Sequence, residues 1–405
     1  MGLKCLYEEN GDSVKILRCY GECSQIVLPE TISGRKVTEL GDYIFSGDMR
    51  GTPAGKLWEE DEEPGNGADG LPGREAGAGS DGLPGSVTAA GSGGSGGRAG
   101  IDTAELQAAC GERLKEISLP SGIRKIGRYA FYNCYGLKKL SMYSTISDIG
   151  AGAFNGCRKI EELEIGVVKG ERSCLKEVLT ELNESLTVDY RQLEKDADGQ
   201  LGCTGRASLF FPVFYEEAVE NTPARILETH VHGCGHRYRY AFDGTEFKFR
   251  EYDSLFIHAK IQEPPARAAA LAMGRLRFPL ELTEKASLMY REYLILHPEE
   301  AAACLLKKDS MDEWKWFVGE FLPSEGENDE KKIKVEHATA GCLGNEGYAV
   351  RAREEYSDIK KPALGKTGFD KLIHASNRAG RTDVISFLMN ASYRAYPPER
   401  KKFEL

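Results

Sequence analysis

The chain has no run of about 18 apolar residues, so no segment reads as a membrane-spanning helix. Its start, Lys4-Cys5-Leu6-Tyr7-Glu8-Glu9, turns acidic at once and offers neither the basic region nor the apolar stretch of an export signal. No Cys-x-x-Cys pair and no His-Glu-x-x-His occurs, which removes the commonest zinc patterns. Basic residues are outnumbered, 53 Lys and Arg against 63 Asp and Glu, for a formal charge of −10. That balance speaks against general nucleic-acid binding, which needs a basic face. The 11 cysteines are odd in number and follow no disulfide-framework spacing. Free thiols in a reducing compartment are expected, hence a cytoplasmic protein.

Catalytic motifs are missing in any credible context. Gly93-Gly-Ser95-Gly-Gly97 and Gly91-Ser-Gly93-Gly-Ser-Gly96 fit a nucleophile elbow and a dinucleotide loop only as strings. Both lie in a glycine tract without the strand–turn–helix setting that the chemistry requires. Gly365-Lys366-Thr367 ends like a phosphate loop, but the first glycine of the cradle is absent. No serine, histidine and aspartate spacing specifies a triad. The expectation is a non-enzyme without a cofactor.

What the chain does have is a 23-residue repeat. Leu114-x-x-Ile117-x-Leu119, Leu137-x-x-Leu140-x-Met142 and Ile160-x-x-Leu163-x-Ile165 begin one repeat apart. Between them Ile126-Gly127-x-x-Ala130-Phe131-x-x-Cys134 returns as Ile149-Gly150-x-x-Ala153-Phe154-x-x-Cys157. A period in the twenties means stacked units that bury one another's apolar faces. Cys23-x-x-Ile26-x-Leu28 and Leu40-Gly41-x-x-Ile44-Phe45 form a degenerate upstream copy. Leu6-Tyr7 and Val14-Lys15-Ile16-Leu17 flank Asn10-Gly11-Asp12, which predicts a hairpin at the start of the stack. Residues 48–103, dense in Gly, Pro and Glu, interrupt the repeats and read as a disordered insertion splitting one turn.

This pattern resembles the BspA-type leucine-rich repeat, over roughly residues 1–165. The resemblance implies a solenoid whose exposed strand residues bind a protein partner. Lys115, Glu116, Lys138, Lys139, Glu161 and Glu162 are the candidate contacts. Secreted members of the family suggest a second reading, a bacterial cell-surface adhesin, which the acidic start argues against.

Past residue 166 the repeat stops. Cys174 to Leu182 has helical spacing, and Leu209 to Tyr215 reads as a buried strand. Residues 229–252 alternate strictly around Asp243-Gly244, predicting a hairpin that sets Tyr240 against Phe247, Tyr238 against Phe249 and His236 against Glu251. Arg237, Arg239, Lys248 and Arg250 would then share a solvated basic face. The segment also carries His230, His232, Cys234 and His236, all metal-ligand types. On a strand, positions four apart lie about 13 Å from each other. At most His230 and His232 could chelate together, unless Gly233 and Gly235 bend the chain inward. A metal-dependent protein such as a hydrolase, centred on His230 and His232, is the alternative function.

From Pro264-Pro265 onward the pattern is helical. Helices are expected over 266–273, 282–296 and from Pro298 to Leu306. Another should follow the capping box Ser310-x-x-Glu313, ahead of Trp314, Trp316 and Phe317. Further helices fit 333–343, 346–356, 369–379 and 382–394. Ile373 to Leu388 resembles the helix–turn–helix core of an ankyrin repeat, with His374 and Gly380 at the places of its histidine and turn glycine. His337 to Gly344 fits a diverged copy.

The fold class expected is α+β multidomain. Residues 1–170 form a leucine-rich repeat solenoid, 171–262 an α+β module with a β-hairpin, and 263–397 an ankyrin-like helical solenoid. The order is similar to multidomain proteins of gut Firmicutes, a likeness that implies no activity. The partner is an unknown protein, with no membrane insertion.

Overall fold

A computed structural model describes residues 2–48, 51, 53–60, 106–197, 199–221, 226–322 and 363–397. The helices expected at 333–343 and 346–356, the copy at 337–344 and most of the glycine tract lie outside these residues. The chain divides into two compact units. One is residues 1–263 with 278–281, the other 264–277 with 282–405.

The first unit begins with the predicted hairpin, β1 (Lys4–Asn10) and β2 (Ser13–Tyr20), turned at Gly11 with φ +61°. Then come β3 (Gln25–Val27), β4 (Thr31–Ile32) and β5 (Arg35–Leu40) of the degenerate copy. Lys56–Glu59 is a strand, β6, antiparallel to β1. This corrects the expectation that residues 48–103 are all loop: Leu57 and Trp58 pair with Leu6 and Cys5. The repeats supply β7 (Glu116–Ser118), β8 (Lys125–Ile126), β9 (Lys139–Tyr143), β10 (Asp148–Ile149) and β11 (Glu162–Val168).

Two sheets result, a β-solenoid. One runs β10-β8-β5-β2-β1-β6, with β4 on β5. The other runs β3-β7-β9-β11 and continues into β12 (Leu186–Lys195) and β13 (Leu201–Phe211), after helix α1 (Leu175–Glu181). Parallel pairing aligns Ile26, Ile117, Leu140, Leu163 and Val188 in one row, all buried. Each such side chain contributes about 1.5–3 kcal/mol on burial, so the 23-residue spacing is enforced by the core. Between the sheets the turns stack their phenylalanines. Phe45, Phe131 and Phe154 lie 5.0 and 5.2 Å apart with near-parallel rings. Cys134 and Cys157 are buried beside them and donate S–H to the carbonyls of Phe45 and Phe131, at 3.2 and 3.0 Å.

The remainder of this unit departs from the expected hairpin. β14 (Tyr215–Asn221) pairs with β15 (Ile226–His232), and α2 (Gly235–Arg239) follows at once. Only β16 (Phe242–Asp243) and β17 (Glu246–Phe247) pair around the turn, setting Phe242 against Phe247 rather than Tyr240. Helices α3 (Phe249–Ser254) and α4 (Phe256–Gln262) replace the returning strand. The basic face does not exist as expected, because Arg239 is fully buried. Its guanidinium donates to the carbonyls of Leu179, Leu182, Glu184, Pro212 and Gly235, tying the end of α1 to the ends of β13 and β15. Burial pushes its pKa down to about 10, still high enough to keep it charged at neutral pH.

The second unit contains α5 (Pro265–Arg277), α6 (Glu284–Leu296), α7 (Pro298–Lys308), α8 (Met311–Phe321), α9 (Lys366–Arg378) and α10 (Thr382–Ala395). Thr283 caps α6 by accepting from the Ala286 amide, and Pro298 occupies the first turn of α7. Ser310 is the N-cap of α8 but makes no side-chain cap bond. The capping box fails because Glu313 pairs instead with Arg277 and Lys308, at 3.0 and 2.8 Å. Helix α5 packs on α6 and α7, α7 on α9, α9 on α10, and α10 on α8. Arg291 of α6 reaches the Glu320 carbonyl and carboxylate of α8.

The turns stack closely enough to demand glycine. A Cβ on Gly150 would lie 2.4 Å from the Arg128 amide nitrogen. Gly150→Ala should cost about 1–3 kcal/mol by overpacking, whereas Gly47→Ala, with open space around it, should change stability by less than about 0.5 kcal/mol. Paired denaturant titrations measure the difference; equal midpoints would contradict it. Arg239→Met strands five carbonyls and should lose roughly 3 kcal/mol or more in the same assay.

Candidate interaction surface

The strand motif brings the candidate contacts into rows. Lys115, Lys138 and Glu161 are successive along one ladder, with the amides of Lys138 and Glu161 bonded to the carbonyls of Lys115 and Lys138. One position on, Glu116, Lys139 and Glu162 stand side by side on β7, β9 and β11. Their freedom differs. Lys138, Glu161 and Glu162 are exposed. Lys115 donates to the Glu112 carbonyl at 2.6 Å, and Glu116 accepts from Gln25 at 2.9 Å. Lys139 is held by Glu164 at 2.6 Å, with Glu162 further off at 3.9 Å.

Sequence reasoning missed the continuation of this face. Glu164 accepts from the Ser141 hydroxyl at 3.0 Å. Next to it in register, Asp189 accepts from both Arg191 and Arg206, each through Nε and Nη2 at 2.8–3.1 Å. The Arg206 guanidinium lies 4.0 Å from the Phe278 ring. Strands β12 and β13 lack the leucine motif, so nothing in the periodicity reveals that they extend the sheet. The alternation Asp189-x-Arg191 was the available signal. Burial pushes the Glu164 carboxyl up, but the Lys139 bond and charge and the Ser141 hydroxyl outweigh it and hold it below the usual range.

The histidines do not form a site together. His230 and His232 share one face of β15, where His232 stacks on Tyr215 at 4.5 Å and meets Glu217 at 3.2 Å. His230 faces Glu228 at 3.5 Å. The chain bends at Gly233, φ +88°, and enters α2 directly. Cys234 is buried with its thiol directed at Glu263, 3.6 Å away, and burial with that carboxylate pushes its pKa up to about 12. His236 lies between the rings of Phe214 and Tyr240. Among the described residues no group of three or more His, Cys, Asp or Glu is placed to hold a metal ion. His374 is exposed on α9, and Gly380 takes φ +71° just past that helix.

A family model described as BspA type leucine rich repeat region (6 copies) matches residues 107–183. No curated protein and no solved structure matches the chain. Residues 107–183 are thus similar to BspA-type leucine-rich repeats, a class of interaction or surface module. Among the described residues no helix is long and apolar enough to cross a membrane.

The Lys139–Glu164 pair generates a pH prediction. With its folded pKa depressed, Glu164 contributes stability above the ordinary glutamate range, and that contribution is lost as pH falls through the depressed value. Lys139→Met leaves a mostly buried carboxylate unpaired and should cost about 2 kcal/mol at pH 7. Protonating Glu164 relieves that cost, so the deficit should shrink toward pH 3. Urea titrations at both pH values check the sign; a deficit that grows in acid would contradict it.

Proposed function

We propose that this chain is a non-catalytic, cytoplasmic interaction protein that presents repeat surfaces to a protein partner. The observation that carries the reading is the charged face of the leucine-rich sheet. Lys138, Glu161 and Glu162 stand exposed at the entries to adjacent strands, beside residues whose own charges are already paired. Exposed charges on a rigid, self-satisfied scaffold suit recognition, since they lose little freedom on binding and set the sign of the partner's surface. Such a surface needs no cofactor.

The helical unit fits a second repeat surface of ankyrin-like kind. Helices α5, α7 and α9 neighbour one another in series, and α8 adjoins α10 and reaches α6 through Arg291. Neighbours two apart in the chain are what stacked helix pairs produce. Gly380 between α9 and α10 supplies the turn. His374 is exposed on α9, and its equivalence to the ankyrin histidine rests on the sequence pattern.

Affinity capture from native lysate tests the reading. The full chain should retain a partner that the triple variant K138E/E161K/E162K loses at least tenfold, with unchanged thermal stability. Equal retention by the variant would remove the sheet face from the proposal. Hydrolysis or group transfer by the purified chain, with or without added metal, would overturn its non-catalytic part.

A further inference from the structure

The hairpin that opens the first unit sets two cysteines directly opposite each other, Cys5 on β1 and Cys19 on β2. The carbonyl of Cys19 accepts from the Ala109 amide at 3.0 Å, on the side of β2 away from β1. The carbonyl of Leu3 accepts from the Glu60 amide at 3.0 Å. Leu3 and, two residues on, Cys5 therefore turn their backbone groups toward β6. Neither cysteine spends a backbone bond on the other. This is the non-hydrogen-bonded type of antiparallel pair, whose Cα atoms stand about 4.5 Å apart with the side chains brought close. That separation lies inside the range of about 4.4–6.8 Å that a disulfide spans.

The side chains agree with the backbone. The two Sγ atoms are 3.9 Å apart, and both residues are fully buried. Among the described residues each thiol has the other as its hydrogen-bond partner and no second one. Cys134 and Cys157 differ, because their S–H groups are directed at the carbonyls of Phe45 and Phe131. A bond between Cys5 and Cys19 would tie together positions 14 residues apart. It would also fix the backbone beside Arg18, whose Nη1 donates to the carbonyls of Tyr43, Ile44 and Ser46, at 2.9, 3.1 and 2.7 Å.

We propose that Cys5 and Cys19 are a disulfide site that locks the opening hairpin when the chain folds in the presence of a disulfide oxidant such as oxidised glutathione. One cysteine thiolate attacks a sulfur of the oxidant and releases one glutathione. The second attacks the mixed disulfide, forming the Cys5–Cys19 bond and releasing the other glutathione. The two thiol protons end on the two glutathiones, and two electrons pass from the pair to the oxidant. Burial, and then the Cys5 thiol beside it, hold the Cys19 thiol well above its ordinary range, which leaves the folded pair almost no thiolate. The exchange thus belongs to the folding chain, and burial shields the finished bond. In a reducing compartment the pair rests as thiols. The site is on the hairpin, separate from the strand face of the proposed function, so either can fail alone.

The test starts from the full chain, reduced and unfolded in urea. It is diluted into a buffer of reduced and oxidised glutathione, quenched in acid, alkylated and mapped by mass spectrometry. A Cys5–Cys19 linkage is expected in most molecules. Dithiothreitol should then reduce that linkage at least tenfold more slowly in the folded protein than in urea. Cell-free synthesis in the same redox buffer, where the chain folds as it is made, gives the same readout if refolding from urea aggregates. No Cys5–Cys19 linkage at any glutathione ratio would overturn the proposal. So would other pairings in equal yield, or equal reduction rates in folded and unfolded protein.

Discussion

A turn that recurs every 23 residues can satisfy its backbone only against a copy of itself, and the first unit is organised around that constraint. Amides in one turn find carbonyls in the next, at 2.8–3.3 Å. The spacing this imposes lets Phe45, Phe131 and Phe154 stack and forbids any Cβ at Gly150. The buried thiols of Cys134 and Cys157 add a second bond to carbonyls that already accept an amide, Phe45 from Gly111 and Phe131 from Cys134. The hydrogen bond with the neighbouring Cys134 thiol, and then burial, hold the Cys157 thiol far above its ordinary value, so it stays protonated. These are packing cysteines, suited to a space where a larger side chain would part the turns.

Repetition saves sequence information but creates ends. Alternate amides of these turns donate into the following turn, so the first turn is left with carbonyls to satisfy and the last with amides. Arg18 and Glu181 answer those ends with the matching charges. Arg18 lies on the opening hairpin, and Glu181 lies on α1 at the far end of the repeat region. Arg239 performs a similar service where the repeat gives way to other architecture, gathering the carbonyls left at the end of α1 and beside Pro212 and Gly235. Buried guanidinium groups are well suited to such junctions, since five fixed donors can satisfy carbonyls that converge from several elements.

The repeat was legible because its period is long, its apolar positions are strict and each position has one environment. Leu114, Ile117, Leu119 and their successors are buried as the pattern requires. Helices α5 to α8 were legible from prolines and apolar spacing. Residues 233–252 were misread for a physical reason. Arg237-Tyr238-Arg239-Tyr240 alternates like a strand, yet Tyr238 and Arg239 are neighbours and both are buried. The helical signal was present in Cys234 and Tyr238, four apart, and in Phe249, Tyr252 and Phe256, three and four apart. Residues 56–59 were hidden by the glycine-rich tract that follows them. In the candidate surface, the identity of the strand residues was readable, but not which of them are already engaged. Lys139 and Glu116 look as free as Lys138 until their neighbours Glu164 and Gln25 are in place.

By itself, the sequence determined the stacked repeat, its buried faces and the row of positions that face outward, because all three follow from periodicity and side-chain polarity. Only the tertiary structure decided where the stack ends, how its ends are closed and which charges remain available. Those outcomes depend on single residues, Arg18, Glu181 and Arg239, whose partners are backbone carbonyls and amides. Backbone groups are the same at every position in a chain, so no pattern of side chains announces which of them will be left open.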